Sequence, residues 1–194
     1  MSKAPTFGEA VELAKYVEKI TGIRPAFLLA ILTQESNIGK NVGQCYLKDV
    51  KTGKGVVAKT GKEIERVMNP SRDVPYFLQI TKNLGRDPFN TLVSCPMKYG
   101  WGGAMGPGQF IPSTWALYKD KAKAILGKEP DPWEIKDAFL MTGIYLKELG
   151  GQRDEWLAAM RYFSGSSWKK YEEFYGNSVM RLAQKYQKDI EAIE

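Results

Sequence analysis

The chain has 194 residues, 43% of them hydrophobic and 26% charged, the ordinary mixture of a globular domain with a sizeable core. It contains no histidine, which excludes Ser-His-Asp and Cys-His nucleophile systems and HExxH zinc sites, and its two cysteines cannot alone complete a structural zinc shell. The net charge of +6 and a pI near 9.1 suit an anionic polymer, either nucleic acid or a cell wall carrying carboxylates and phosphates, but the Lys and Arg residues are scattered, which gives nucleic acid little support.

Residues 1–6 carry no apolar signal-peptide region, so the chain is read as cytoplasmic, as a domain excised from an exported protein, or as one exported by another route. Thr6 and Glu9 form a capping box ahead of Val11, Leu13, Ala14, Val17 and Ile20, which predicts a helix stopped at Gly22. Pro25 suits a first helical turn, and a second helix is expected from there toward Ile38, with Gly39 at its end. Residues 43–60 alternate loosely around the turn Lys51-Thr52-Gly53-Lys54, which predicts a small hairpin. Asn69-Pro70 can start a helix through Phe77, Ile80 and Leu84 to Gly85, with Pro75 disturbing its first turns. Residues 94–112, rich in Gly, Pro and aromatics, cannot form a regular helix. Helices are expected again from Ser113 to Leu126, and from Asp131-Pro132, with Glu134 completing a capping signature, to Leu149. Two more are expected over 152–164 and roughly 177–193. No run approaches the ~20 apolar residues of a membrane span. The expected fold class is mainly α (α+β), a single domain over 1–194 with a small inserted lobe around 40–98.

Without histidine, acid–base chemistry near neutral pH falls to a carboxyl group, Lys, Tyr or Cys. The glycines at 100–108 do not follow a GxGxxG pattern and no P-loop is present, so nucleotide binding has no support. In the second helix the apolar stripe Leu28, Ile31, Leu32 continues to Glu35, which puts a carboxyl on the inward face of the last turn. Partial burial and the negative end of the helix dipole both favour its neutral form, as a general acid requires. By helix position alone the plainer reading is that Glu35 is the first solvated residue where the helix leaves the core. The segment from Gly102 to Trp115 joins a glycine-rich bend to Gln109 and large aromatics. Its glycines let the backbone approach a ligand, Gln109 can bond hydroxyl or N-acetyl groups, and aromatic faces suit sugar rings. Alone, it reads equally as a structural turn under a helix start.

Gln34-Glu35-Ser36-Asn37-Ile38-Gly39 resembles the first motif of the lytic transglycosylases, where a Glu-Ser pair ends a helix. Gly103-Ala-Met-Gly-Pro-Gly-Gln-Phe-Ile-Pro-Ser-Thr-Trp115 resembles their second motif, in the form of the membrane-bound lytic transglycosylase B group. Ala158-Ala-Met-Arg-Tyr-Phe-Ser-Gly165 is similar to the third. The motifs stand in the family's order from Ile23 to about Gly165. The resemblance implies a lysozyme-like fold, Glu35 as the catalytic acid and base, and substrate contacts by Ser36, Met105, Gln109, Phe110 and Tyr162. Two positions depart from the pattern: Phe163 stands where the family usually has Asn, and Gly100 where the B group can have Ser. An aromatic stripe of Trp156, Ala159 and Phe163 beside Tyr162 is by itself more often core than ligand site.

The expected function is therefore that of a peptidoglycan lytic transglycosylase. It would cleave the β-1,4 bond between N-acetylmuramic acid (MurNAc) and N-acetylglucosamine (GlcNAc) and leave a 1,6-anhydro end. No cofactor and no metal are implied, and peptidoglycan glycan strands are the expected partner of a monomer acting outside the cytoplasm. A lysozyme-type hydrolase would usually need a second carboxylate. Asp49, Asp73, Asp87 and Asp120 are available, but each suits a turn, a cap or the surface as well. The third reading is a wall-binding module that kept the fold and lost turnover. Cys45 and Cys95 are either two buried thiols or a bridge. Their positions, after the helix bearing Glu35 and before the glycine-rich motif, make a bridge across the cleft walls the expectation.

Overall fold

A computed structural model describes residues 3–165 and 173–194. Seven α-helices and a small antiparallel sheet make up the described residues. Helix α1 (Phe7–Thr21) carries the expected capping box, with the Thr6 hydroxyl accepting from the Glu9 N–H, and ends at Gly22 in the left-handed conformation. Helix α2 (Pro25–Ser36) is the centre of the molecule. Every residue from Ala26 to Leu32 is fully buried, so the helix is enclosed on all sides rather than along one stripe. Its neighbours are α1, α5 (Ile135–Glu148) and α7 (Phe174–Glu191). The buried face of α7 is Tyr175, Val179 and Ala183 at helical spacing, with Ile190 near its end.

The lobe that follows α2 contains the hairpin expected over 43–60, extended by a third strand. Strands β1 (Cys45–Leu47), β2 (Gly55–Val57) and β3 (Glu63–Ile64) form a three-stranded sheet in the order β1-β2-β3. Cys45 lies opposite Val57, and Gly55 opposite Ile64. The third strand is only two residues long, too short to show a period. Helix α3 (Val74–Asn83) begins later than expected, because the Asn69 side chain accepts from the Ser71 and Arg72 N–H groups and holds 69–72 as a turn. A 3-10 turn at Pro88–Asn90 leads to Val93, which bridges back to Cys45. A disulfide between Cys45 and Cys95 closes this excursion with its Cα atoms 5.1 Å apart.

Helix α4 (Pro112–Leu126) follows the glycine-rich loop and ends at Gly127 in the left-handed conformation. Its start is held by Asp73, fully buried, which accepts from the Ser113 N–H and hydroxyl at 3.1 and 2.7 Å. The capping signature expected at Asp131 does not cap. Its carboxylate accepts from the Trp133 N–H and pairs with Arg86, and α5 begins only at Ile135. Helix α6 (Glu155–Ser164) is capped by Asp154, which accepts from the Leu157 N–H at 2.9 Å. No described helix is long and apolar enough to cross a membrane.

Candidate functional site

Glu35 stands in the last turn of α2, where the all-round burial of that helix gives way. The chain leaves the helix through three consecutive positive φ angles, 51° at Asn37, 54° at Ile38 and 81° at Gly39. A β-branched residue such as Ile38 is rare in that region, at a cost on the order of 1–3 kcal/mol. Ser36 offsets part of it: its buried hydroxyl donates to the Pro107 carbonyl at 2.7 Å and accepts from the Gly39 N–H at 2.8 Å. One serine thus ties the end of α2 to the glycine-rich loop.

The Glu35 Oε1 accepts a hydrogen bond from the Tyr175 hydroxyl of α7. Burial pushes the carboxyl pKa up to about 7, with the Tyr175 bond offsetting part of the rise. Tyr175 and Tyr162 are themselves held neutral, first by burial and then by the neighbouring Glu35 charge. Glu35 still opens onto a cavity of about 250 Å³, walled by Asn41, Gly43, Gln44, Ser94, Cys95 and Gln109. The disulfide therefore forms part of the wall opposite the acid.

Gln109 also lines a second cavity of about 440 Å³, together with Arg72, Trp101, Phe110, Tyr145, Tyr162 and Phe163. The loop that carries Gln109 is set by two backbone bonds, from the Met105 N–H to the Phe110 carbonyl and back, at 2.9 and 3.2 Å. Gly106 within it has φ 63°, and a Cβ there would lie 1.7 Å from the Pro132 carbonyl oxygen, so no other residue fits. Gln109 also has positive φ, 51°, and its side-chain N–H groups are bound to the Val42 and Gly106 carbonyls. The Phe110 ring is the hub of an aromatic cluster with Trp115, Tyr145 and Tyr162 at 5.5 to 5.7 Å. The Tyr162 hydroxyl donates to the Gly108 carbonyl at 2.6 Å, so α6 braces the same loop.

The fold thus gathers Glu35 and Gln109 at one cavity and Gln109, Phe110 and Tyr162 at the other. Ser36 and Met105, at 2% and 0% exposure, line neither and act on the cavities only through the loop they hold. Gly100, with φ 100°, lines the second cavity and brings no side chain to it. Among the described residues, neither cavity is lined by a carboxylate other than Glu35. Asp49 closes a turn with Thr52, Asp73 holds α4, Asp87 caps the 3-10 turn and Asp120 is exposed on α4. A larger, shallow concavity of about 740 Å³ between α1 and the start of α5 contains Glu9, already tied into its capping box, and offers no buried acid. No group of three or more Cys, Asp or Glu among the described residues is placed to hold a metal ion.

Three residues of this site are not read from the sequence. Tyr175 lies 140 positions from Glu35, and the only local signal is its place on the buried face of α7. Arg72 sits in a turn, its guanidinium steered by the buried Asp73 carboxylate at 2.7 Å. Phe163, read in the sequence as a departure and as part of a stripe more often core than ligand site, lines the second cavity.

The family model described as Transglycosylase SLT domain matches residues 6–192. Among solved structures, the chain is similar to the soluble lytic transglycosylase SltB1 from Pseudomonas aeruginosa, at 15% identity over 94% of this chain and 76% of that one, with a TM-score of 0.64. It is similar at 15% identity and a TM-score of 0.57 to the Escherichia coli lytic transglycosylase Slt35 in complex with bulgecin A, over 93% of this chain and 75% of that one. SltB3 from Pseudomonas aeruginosa, in complex with NAG-anhNAM-pentapeptide, is 26% identical over 74% of this chain and 35% of that one, with a TM-score of 0.51. No curated protein sequence matches the chain.

Proposed function

Since the chain belongs to the transglycosylase SLT domain family, the lysozyme-like lytic transglycosylases of peptidoglycan, we propose that it cleaves the MurNAc–GlcNAc β-1,4 bond with Glu35 as its sole acid and base. Its substrate lies outside the cytoplasm, and the disulfide between Cys45 and Cys95 suits that setting. Glu35, neutral up to about pH 7, protonates the bridging oxygen and the C1–O4 bond breaks. The substrate's own N-acetyl oxygen stabilises the cationic C1, as in substrate-assisted glycosidases. The Glu35 carboxylate then takes the proton of the muramic acid C6 hydroxyl, whose oxygen closes on C1. The product is a 1,6-anhydro end, no water is consumed, and Glu35 is again protonated.

The observation that carries this reading is that, among the described residues, Glu35 is the one carboxyl that lines either cavity. A hydrolase would usually need a second one to activate water or form a covalent intermediate, and the two cavities offer none among the described residues. Tyr175 supports the interval between the two proton transfers, because its hydroxyl steadies the carboxylate after the first proton is given away. Gln109, Phe110 and Tyr162 are assigned to substrate: the Gln109 side-chain carbonyl can accept from a sugar N–H or O–H, and the rings offer apolar faces. Ser36 and Met105 are assigned to holding the loop. Residues 1–194 are taken as one domain with the lobe around 40–98 inserted in it. The test is mass spectrometry of muropeptides released from purified sacculi. Anhydro ends, lighter by one water than reducing ends, are expected from the wild type, and none from Glu35→Gln. Reducing ends would identify a hydrolase, and equal release by Glu35→Gln would remove Glu35 from the mechanism.

A further inference from the structure

Phe163 occupies α6 one residue beyond Tyr162, lines the 440 Å³ cavity and is 41% exposed. Its ring is stacked on that of Tyr175, with centroids 4.8 Å apart and planes 16° from parallel. Tyr175 in turn donates its hydroxyl to Glu35. Helix α6 therefore reaches the acid through two stacked rings and one hydrogen bond, from a wall of the cavity next to it. A flat ring in that place fixes the tilt of the Tyr175 ring and hence the direction of its O–H. It also carries no atom that could anchor a water beside the Tyr175–Glu35 pair.

We infer that Phe163 is a positioning residue: stacked on Tyr175, it fixes the phenol that holds Glu35 and keeps water from that side of the acid. This rests on Glu35 being the acid. The groups that face the Glu35 carboxyl are Tyr175 from α7 and Tyr162 from α6, both neutral phenols, with Tyr145 of α5 behind Tyr162. Residues 41, 43, 44, 94, 95 and 109 in the cavity wall are uncharged. Among the described residues no cation contributes to the protonation of Glu35, so exclusion of water and the Tyr175 bond set it, the first raising and the second lowering its pKa.

The experiment follows anhydro-muropeptide release from sacculi between about pH 5 and about pH 9, with folding checked by circular dichroism. Phe163→Ala admits water and frees the Tyr175 ring, and because desolvation is the larger of the two influences on Glu35 the net effect is to ease its ionisation. Its alkaline limb should move down by about one pH unit, and kcat should fall about tenfold with KM changed less than about twofold. Phe163→Tyr, which keeps the ring, should recover most of that loss. Tyr175→Phe removes a bond to the carboxylate, so its limb should move up instead. If Phe163→Ala folds poorly, Phe163→Leu, which keeps apolar volume without a flat face, reads the same limb. An unmoved limb with a uniform loss at every pH, or a loss in KM alone, would overturn the proposal. So would a Phe163→Tyr variant no better than Phe163→Ala. Glu35→Gln run in parallel separates the two levels: if it releases product like the wild type, the acid assignment falls and this inference with it. If it is inert, the pH limbs of the position-163 variants alone decide whether Phe163 positions the pair.

Discussion

In the unfolded chain Glu35 ionises near its ordinary value of 4.5, and in the folded protein near about 7. Between those values the folded state keeps a proton that the unfolded chain has released. The contribution to stability is therefore complete below 4.5 and is lost as pH rises through about 7. Allowing for the opening to solvent, the loss is about 2 kcal/mol. The amide in Glu35→Gln can still accept from Tyr175 but cannot ionise. That variant should melt roughly 4–8 °C higher than the wild type at pH 8 and show little change at pH 4. Thermal unfolding at the two pH values checks this, and an equal shift at both would contradict the raised pKa. The wild-type kcat/KM should decline above about pH 7, as the free enzyme loses its acidic proton.

Between elements, two ties decide whether the acid faces the loop that carries Gln109. Ser36 joins the end of α2 to the loop through Pro107, and its loss leaves a buried carbonyl unpaired next to a strained exit. Ser36→Ala should cost about 2 kcal/mol in urea unfolding, with kcat falling more than KM rises, because the loop shifts relative to Glu35. The disulfide joins the other wall, closing a sequence separation of 50. Replacing Cys45 and Cys95 together by Ala should lower stability on the order of 4 kcal/mol in the chain-entropy description. It should also reduce activity at temperatures where the double variant is still folded, since Cys95 lies in the wall of the Glu35 cavity. Calorimetry and muropeptide release measured together separate the two effects.

Across the whole molecule, the net charge of +6 predicts long-range attraction to an anionic polymer such as the proposed wall substrate. Release from intact sacculi should fall several-fold between low salt and about 0.5 M salt, while cleavage of a short glycan lacking peptide stems should change much less. Equal salt sensitivity on both substrates would place the charge effect in the site instead of the long-range field. At this scale the central position of α2 also explains the raised pKa of Glu35. A helix enclosed on every side by α1, α5 and α7 has an end that must emerge at the bottom of a groove, and the carboxyl there is desolvated without being sealed.

The helices, their stop signals and the position of Glu35 are legible in the sequence because each is a local property: the capping box at Thr6, the apolar run of α2, the left-handed glycines at 22 and 127. The glycine-rich loop is legible for the same reason, since close backbone approach at Gly106 admits no side chain. Where local signals competed, the expectation failed. Asn69 and Asp131 have the chemistry of helix caps but spend it on turns, and the two-residue β3 is too short to carry a period. Only the tertiary structure decided which groups meet the acid. Tyr175, Phe163 and the cavity wall at Ser94 and Cys95 come from distant segments, and a residue's sequence neighbours carry no record of what the far end of the chain will pack against it. The shift of Glu35 to about 7 belongs to that level too, because desolvation exists only once those segments have closed around the carboxyl.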